Sequence, residues 1–477
     1  MLNGASQKRR YTRMNSILIK NGRVIDPANG VDAVKDIFIE GGKLAKQSPS
    51  NAETFDAKGL IVTPGLIDIH VHFREPGRTD KETIETGTRC AARGGFTSVV
   101  CMPNTTPAAD NTGTIAFIKQ RAAEVGCVNV FPTGAISKEL KGEELAPIGS
   151  LKKAGVVAIT DDGHCVQNND LMRRAVEYAK MFELPLMDHC QDYSLVGDGV
   201  MNEGYWSAAL GLKGWHASGE DLIVARNILL AELTDWHIHC QHVSSAGSVR
   251  LIREAKKRGI KISGEACPHH WSLTDSAIGG SEKFWAEKRK MFKANPNGGT
   301  GVPPVHSDLR TGGTPIPPSM YWAPYDTNFK MNPPLRTARD ADAVLEGLAD
   351  GTLEIIGSDH APHCGYEKEV EFDYAPFGIL GLETELPLSL ELVRQKILML
   401  PQLIEKFTTA PAKLLRLNKG TLSVGADADV TIINPDVAWT YDVNQSPSKS
   451  RNSPFHGWQM KGKAVATIVG GKIVWKM

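Results

Sequence analysis

Residues 60–77 read LIVTPGLIDIHVHFREPG, an apolar run from Leu60 to Ile69 that closes on His70-Val71-His72. Successive side chains on a strand alternate faces, so residues two apart point the same way. A His-x-His pair at a strand end therefore aims two imidazoles at one point, as two ligands of a single metal ion require. The competing account is a pair of hydrogen-bonded core histidines, and a motif this short does not choose between them. The rest of the chain does.

Seven more strand-like runs follow LIDIHVH: FTSVVCMP, VNVFPTGA, GVVAITDD, LPLMDHC, WHIHCQHVS, IKISGEAC and LEIIGSDHA. Helical patterns such as DKETIETGTRCAARGG and NDLMRRAVEYAKMF lie between them, which predicts parallel βα units. Eight such units make an α/β fold, a TIM (β/α)8 barrel over residues 63–411, with its active site at the carboxyl ends of the strands. The flanks differ. ILIKNGRVIDP carries an expected Asn-Gly turn, DIFIEGGKLA turns at Gly41-Gly42, and KGKAVATIVGGKIVWKM turns at another Gly-Gly pair. Residues 15–62 and 412–477 are thus expected to build one small β-sandwich domain from both chain ends.

Two segments stand apart. MLNGASQKRRYTRMNS is basic without the apolar core of a signal peptide, so residues 1–14 read as a disordered extension, with Met14 an alternative start. Eleven of the 26 residues from Ala294 to Ser319 are Gly or Pro, including the near-repeat GGTGVPP and GGTPIPP. That composition reads as a flexible insertion on the catalytic face, a passive loop rather than a lid, with His306 solvated.

Bulk properties exclude other classes. The 477 residues carry 54 Lys plus Arg against 54 Asp plus Glu, so no net field attracts nucleic acid or an anionic membrane. No apolar run approaches the ~20 residues of a membrane span. Eight scattered cysteines without a CxxC pair fit reduced thiols in a cytoplasmic protein. Cys190 and Cys364 lie near candidate ligands, but oxygen and imidazole donors already suffice for a metal.

The strand ends share one chemistry. The first gives His70, His72 and Arg74; the fourth Asp161 and Asp162; the fifth Asp188 and His189; the sixth Gln241 and His242; the eighth Ser358, Asp359, His360 and His363. Four histidines with two carboxylates can hold two zinc-like ions, one carboxylate bridging. Such a pair can activate a water while polarising a carbonyl. A second pair, His237-Ile238-His239, lies in the body of its strand and reads as core packing. His269 and His270 read as structural or supporting groups rather than ligands.

The motifs HVHFREPG, TDDG, DHC, QHVS, MNPPLR and SDHAPH, with SKSRNSPFHG near the end, resemble the dihydroorotase family of the amidohydrolase superfamily, in its long bacterial form. The resemblance runs from about Asn15 to Met477, leaving out the tail and the Gly/Pro insertion. It implies two zinc ions: His70 and His72 on one, with Asp359 beside them, His189 and His242 on the other, and Asp162 bridging. Many superfamily relatives bridge with a carboxylated lysine, which VVAITDDGH does not offer. Asp161 competes with Asp162 for that role, which the family motif gives to Asp162.

The activity implied is reversible hydrolysis of the cyclic amide of dihydroorotate to N-carbamoyl-aspartate, with Asp359 as base and then acid. Arg74 is placed to grip the substrate carboxylate. The resemblance adds Asn104 and His363 to that grip, and Asn332 with the backbone of Phe377 and Gly378 as readers of the ring amide. A hydantoinase or allantoinase would keep the ligands but lack the Arg/Asn/His clamp. Family members that serve only as inactive partners of aspartate transcarbamoylase have typically lost ligand histidines, and all are present here. An active enzyme remains compatible with that association and with homo-oligomerisation.

Overall fold

The computed structural model describes residues 16–48, 51–294 and 320–477. The amino-terminal extension and nearly all of the Gly/Pro-rich insertion fall outside them, so their expected behaviour is not addressed by it.

The amino-terminal strands are β1 (Ile17–Asp26), β2 (Val31–Glu40), β3 (Lys43–Ala45), β4 (Glu53–Asp56) and β5 (Ile61–Pro64). The middle holds β6 (Leu66–Val71), β7 (Phe96–Cys101), β8 (Asn129–Pro132), β9 (Leu186–Asp188), β10 (Met201–Asn202), β11 (Gly214–Trp215), β12 (Ile238–Cys240), β13 (Ile262–Ala266) and β14 (Ile355–Ile356). The carboxyl end supplies β15 (Val430–Thr440), β16 (Gln459–Val469) and β17 (Lys472–Lys476). Helices separate most of the middle strands, giving a mixed α/β chain.

The two ends meet in one eight-stranded sheet of order β17-β16-β15-β5-β1-β2-β3, with β4 also on β1. Antiparallel pairing of β15 with β5 joins them. Ile19, Val24, Ile39 and Val62 from one end bury apolar surface against Val430, Ile432 and Ile468 from the other. The sheet reaches Pro64, two residues past the expected boundary at 62.

The Gly41-Gly42 and Gly470-Gly471 pairs do form tight turns with positive φ. The expected Asn21-Gly22 turn does not form. Both residues lie within the single strand β1, at a bulge where the register against β2 shifts between Ile19 and Gly22. A Cβ on Gly22 would lie 2.5 Å from Val62 Cγ2, so the glycine serves close packing rather than chain reversal.

The middle strands run parallel. β6 pairs with β7 and β7 with β8; β9 pairs with β12, β12 with β13, and β13 with β14. The fourth run forms no full strand, yet Ile159 bridges Gly134 on one side and Leu186 on the other. Beyond β14, His360 bridges Val71 in parallel, linking the last segment to the first. The short parallel pair β10–β11 was not legible in the sequence.

Gly65 joins the composite sheet to β6, and a Cβ there would lie 2.0 Å from Thr97 Oγ1 and 2.7 Å from Thr97 Cβ. Thr97 is a buried, β-branched residue on β7 with little room to turn. Gly65→Ala is therefore expected to destabilise the protein by about 1–3 kcal/mol. A lowered urea midpoint with unchanged slope would show it; an unchanged midpoint would mean that Thr97 swings clear.

Candidate metal centre

Four histidines surround one carboxylate. Asp162 Oδ2 lies 3.3 Å from both His70 Nε2 and His72 Nε2, while Asp162 Oδ1 lies 3.1 Å from His189 Nδ1 and 3.3 Å from His242 Nε2. Asp359 Oδ1 approaches His72 Nε2 at 3.1 Å and His70 Nε2 at 3.5 Å. His189 Nδ1 and His242 Nε2 are 2.8 Å apart. Donor atoms about 2.0–2.2 Å from a zinc ion sit roughly 3.3 Å from one another in a tetrahedron. The cluster has that spacing twice over, once on each side of Asp162.

The outer nitrogens fix which ring atom faces inward. His70 Nδ1 donates to Glu265 Oε1 at 2.5 Å, His72 Nδ1 to Asn104 Oδ1 at 2.8 Å, and His189 Nε2 to Gln191 Oε1 at 2.8 Å. A neutral imidazole carries one N–H, so each of these contacts turns the other nitrogen into a lone pair aimed at the cluster. His70 Nε2 is buried with no hydrogen-bond partner among the described residues. This donor set fits divalent cations.

Charge points the same way. Burial pushes the Asp162 carboxyl up, but the surrounding histidines outweigh it and hold it well below the ordinary range. Burial likewise opposes ionisation of Asp359, and His70 and His72 still bring it to about 2. His70 is disfavoured as a cation by burial, yet Asp162, Glu265 and Asp359 raise it well above its ordinary value. The cluster has a surplus of buried negative charge and calls for positive charge at its centre.

The backbone is bent to this purpose. Arg74, His242 and Asp359 have φ of 60°, 32° and 46°, in the left-handed region that favours glycine. Each costs on the order of 1–3 kcal/mol, which the surrounding packing must hold.

Asp161 is not part of the cluster. Its Oδ1 accepts from the amides of Ile136 and Ser137, and Oδ2 from the Ser137 hydroxyl, so it secures the neighbouring loop. Cys190 stays outside as well, between Asn227 Nδ2 and Asp188 O. His269 and His270 form a separate buried group with Cys267, and His270 Nε2 donates to Pro333 O at 3.0 Å, bracing the loop of Asn332.

The remaining candidate residues are distributed around the cluster. Arg74 is half-buried; its Nε donates to Pro362 O at 3.3 Å, and no carboxylate among the described residues pairs with it. Burial lowers it to about 10, which leaves it cationic at neutral pH. Asn104 is occupied through Oδ1 by His72, leaving its amide N–H groups. Asn332 Nδ2 donates to Gln191 Oε1 at 3.1 Å.

His363 departs from expectation. Its Nε2 donates to Phe377 O at 2.8 Å, and Nδ1 accepts from Lys81 Nζ at 3.1 Å. Burial and the cations Arg74, Lys81 and Lys368 hold the ring neutral. Both nitrogens are committed, so in this arrangement it orders the Phe377 loop rather than presenting an open donor. Gly378 N donates to Lys330 O, which ties the same loop to the Asn332 segment, and Gly378 O accepts from Asn452 Nδ2.

Sequence reasoning missed Glu265, Gln191 and Asn452. Glu265 is an acid inside a fully buried strand, ISGEA, and a charge in that short run was the available signal. Gln191 follows His189 by two residues. Asn452 lies in SKSRNSPFHG and reaches Ala361 O, Gly378 O and the His363 amide.

A family model described as "Dihydro-orotase-like" matches residues 59–248. A dihydroorotase of Geobacter metallireducens is 49% identical over 466 residues, covering 97% of this chain and all of the relative. One of Pelotomaculum thermopropionicum is 50% identical, covering 96% of this chain and 98% of the relative. Among solved structures, an L-hydantoinase (dihydropyrimidinase) from Arthrobacter aurescens aligns at a TM-score of 0.78 with 25% identity, covering 97% of this chain and 96% of its own. A dihydropyrimidinase from Brevibacillus agri aligns at 0.76 with 22% identity, covering 97% and 95%, and shows that the fold is shared. By near-complete coverage at almost half identity, the chain belongs to the dihydroorotase family.

Proposed function

We propose that this protein is a zinc-dependent dihydroorotase, which interconverts dihydroorotate and N-carbamoyl-aspartate in pyrimidine biosynthesis. One observation carries the reading: two histidine pairs converge on opposite oxygens of a single buried carboxylate. The kinship to dihydroorotases supplies the substrate. We assign His70, His72, His189 and His242 as ligands of two zinc ions, Asp162 as their bridge and Asp359 as a further ligand. When bound, such a pair supplies Lewis acidity for water and for the ring carbonyl.

The protein's own groups do the rest. Asp359 accepts a proton from the attacking water and delivers it to the ring nitrogen as the carbon–nitrogen bond breaks. The reverse sequence closes the ring. Arg74 grips the substrate carboxylate in paired hydrogen bonds, aided by the Asn104 amide, with His363 supporting from behind. Asn332 and the backbone at Phe377 and Gly378 face the ring amide.

The architecture proposed for this chemistry is a (β/α)8 barrel over residues 63–411 and a small composite β-sandwich from 15–62 and 412–477. The chain of parallel pairings from β6 round to His360, and the shared end sheet, support it. No described helix is long and apolar enough to cross a membrane. All eight cysteines are free, which supports a cytoplasmic setting. Homo-oligomerisation and association with aspartate transcarbamoylase belong to the same proposal; the mass in solution tests the first and co-purification the second.

Four measurements test the reading. The purified protein should contain about two zinc ions per chain, and turn over dihydroorotate but not hydantoin or allantoin. Hydantoin hydrolysis without dihydroorotate turnover would overturn the assignment. Asp359→Asn should lower kcat by about 10²–10⁴-fold, the range of a lost general acid–base group; near-normal kcat would remove Asp359 from proton transfer. Gln191→Leu deletes the acceptor shared by His189 and Asn332. It should weaken retention of one ion by about 10–100-fold in a chelator titration, while Gln191→Glu retains it.

A further inference from the structure

We propose that the second His-x-His pair, His237 and His239, forms with Ser263 a hydrogen-bonded chain that locks the tautomer of His70 through Glu265. The inference rests on the assignment of His70 as a metal ligand. The chain is continuous. His237 Nε2 lies 2.6 Å from Ser263 Oγ, which lies 2.8 Å from His239 Nδ1. His239 Nε2 lies 3.3 Å from Glu265 Oε2, and Glu265 Oε1 lies 2.5 Å from His70 Nδ1. His70, His239 and Glu265 are fully buried, and Ser263 nearly so.

Donors and acceptors along it can be counted. An ionised carboxylate only accepts, so the ring nitrogens that face Glu265 must both carry hydrogen: His70 Nδ1 and His239 Nε2. A His239 ring that carries that single hydrogen offers a lone pair at Nδ1, and the Ser263 hydroxyl is the group that can donate to it. Ser263 has a single hydrogen, so its oxygen accepts from His237 Nε2. The Glu265 carboxylate thus takes one N–H from each ring, and Nε2 is the nitrogen of His70 left to bind a cation. The opposite polarity would set a lone pair of His239 against the carboxylate in a water-free interior, a repulsive contact.

The pair therefore does more than pack the core. It holds Glu265 from below, as Glu265 holds His70, and makes both positioning residues. Its far end opens elsewhere: His237 and Ser263 line a cavity of about 610 Å³ with Trp236, Lys261 and Glu354. Pro185, Lys261 and Glu354 immediately precede the starts of β9, β13 and β14. That cavity thus lies at the opposite ends of the strands from the metal centre, and the chain spans the strand layer between them.

The test measures metal retention on the intact protein, without dihydroorotate, so it is independent of whether that substrate is the right one. His239→Leu should weaken zinc retention against a competing chelator by about 10–100-fold. It should also alter the visible spectrum of the cobalt-substituted protein. His239→Gln, which keeps a donor toward Glu265, should recover most of the affinity. A folded His239→Leu protein that holds zinc as tightly as the wild type would overturn the proposal. If that variant does not fold, Ser263→Ala decides: weakened retention with an unchanged melting temperature supports the chain, and unchanged retention overturns it.

Discussion

The structure depends on keeping three ionised carboxylates out of water. Asp162, Glu265 and Asp359 are 1%, 0% and 5% exposed. Desolvating even one such charge without partners would cost more than a domain's whole stability. What makes the arrangement tenable is that each acid faces imidazole. Asp162 meets four rings, Asp359 two, and Glu265 two through its separate oxygens. The histidines are thus as necessary to the fold of this region as to its chemistry.

Nearby acids without such company behave differently. Asp68 lies beneath the cluster, where burial raises it to about 6 despite hydrogen bonds from Ser358 and the His70 amide. Glu385, also fully buried, is pushed far above its ordinary value by burial and by the neighbouring Asp68 and Glu265. Acids within one core are therefore sorted by their neighbours. Those that face rings are held low and can share a cation, while burial drives the others toward the protonated form, Glu385 furthest because two acids face it.

Legibility in the sequence followed the same physics. Polar residues at the ends of apolar runs are conspicuous, because nothing in strand packing calls for them. His70, His72, Asp162, His189, His242 and Asp359 could be found for that reason, and the structure brings all six together. Groups acting one bond further out were harder. Glu265 and His239 sit inside strands, where period and composition give no hint that two of them meet across β12 and β13. Gln191 and Asn452 matter only through distances that loops set. His363 was expected, from the family resemblance, to help hold the substrate carboxylate; Lys81, almost 300 residues earlier, and Phe377 O occupy its two nitrogens. Asn21-Gly22 misled for a related cause. A bulge and a hairpin turn ask for the same residues, and only the partner strand distinguishes them.

Placing the support on strands rather than loops has a consequence for precision. His239 and Glu265 lie within the paired strands β12 and β13, whose ladder fixes their spacing, and His70 lies within β6. His72, His189, His242 and Asp359 sit just past strand ends, and His242 and Asp359 reach their positions through a left-handed backbone. The first group is held by its strands and by the contacts through Glu265; the second needs Asn104, Gln191 and the Phe377 loop to hold it. The half of the centre around His70 is therefore built to stay in place. The half around His189 is tied through Gln191 to Asn332, on the side where substrate is expected to enter. A shift in the Asn332 loop reaches His189 through one shared oxygen, whereas the same shift reaches His70 only through the bridging carboxylate.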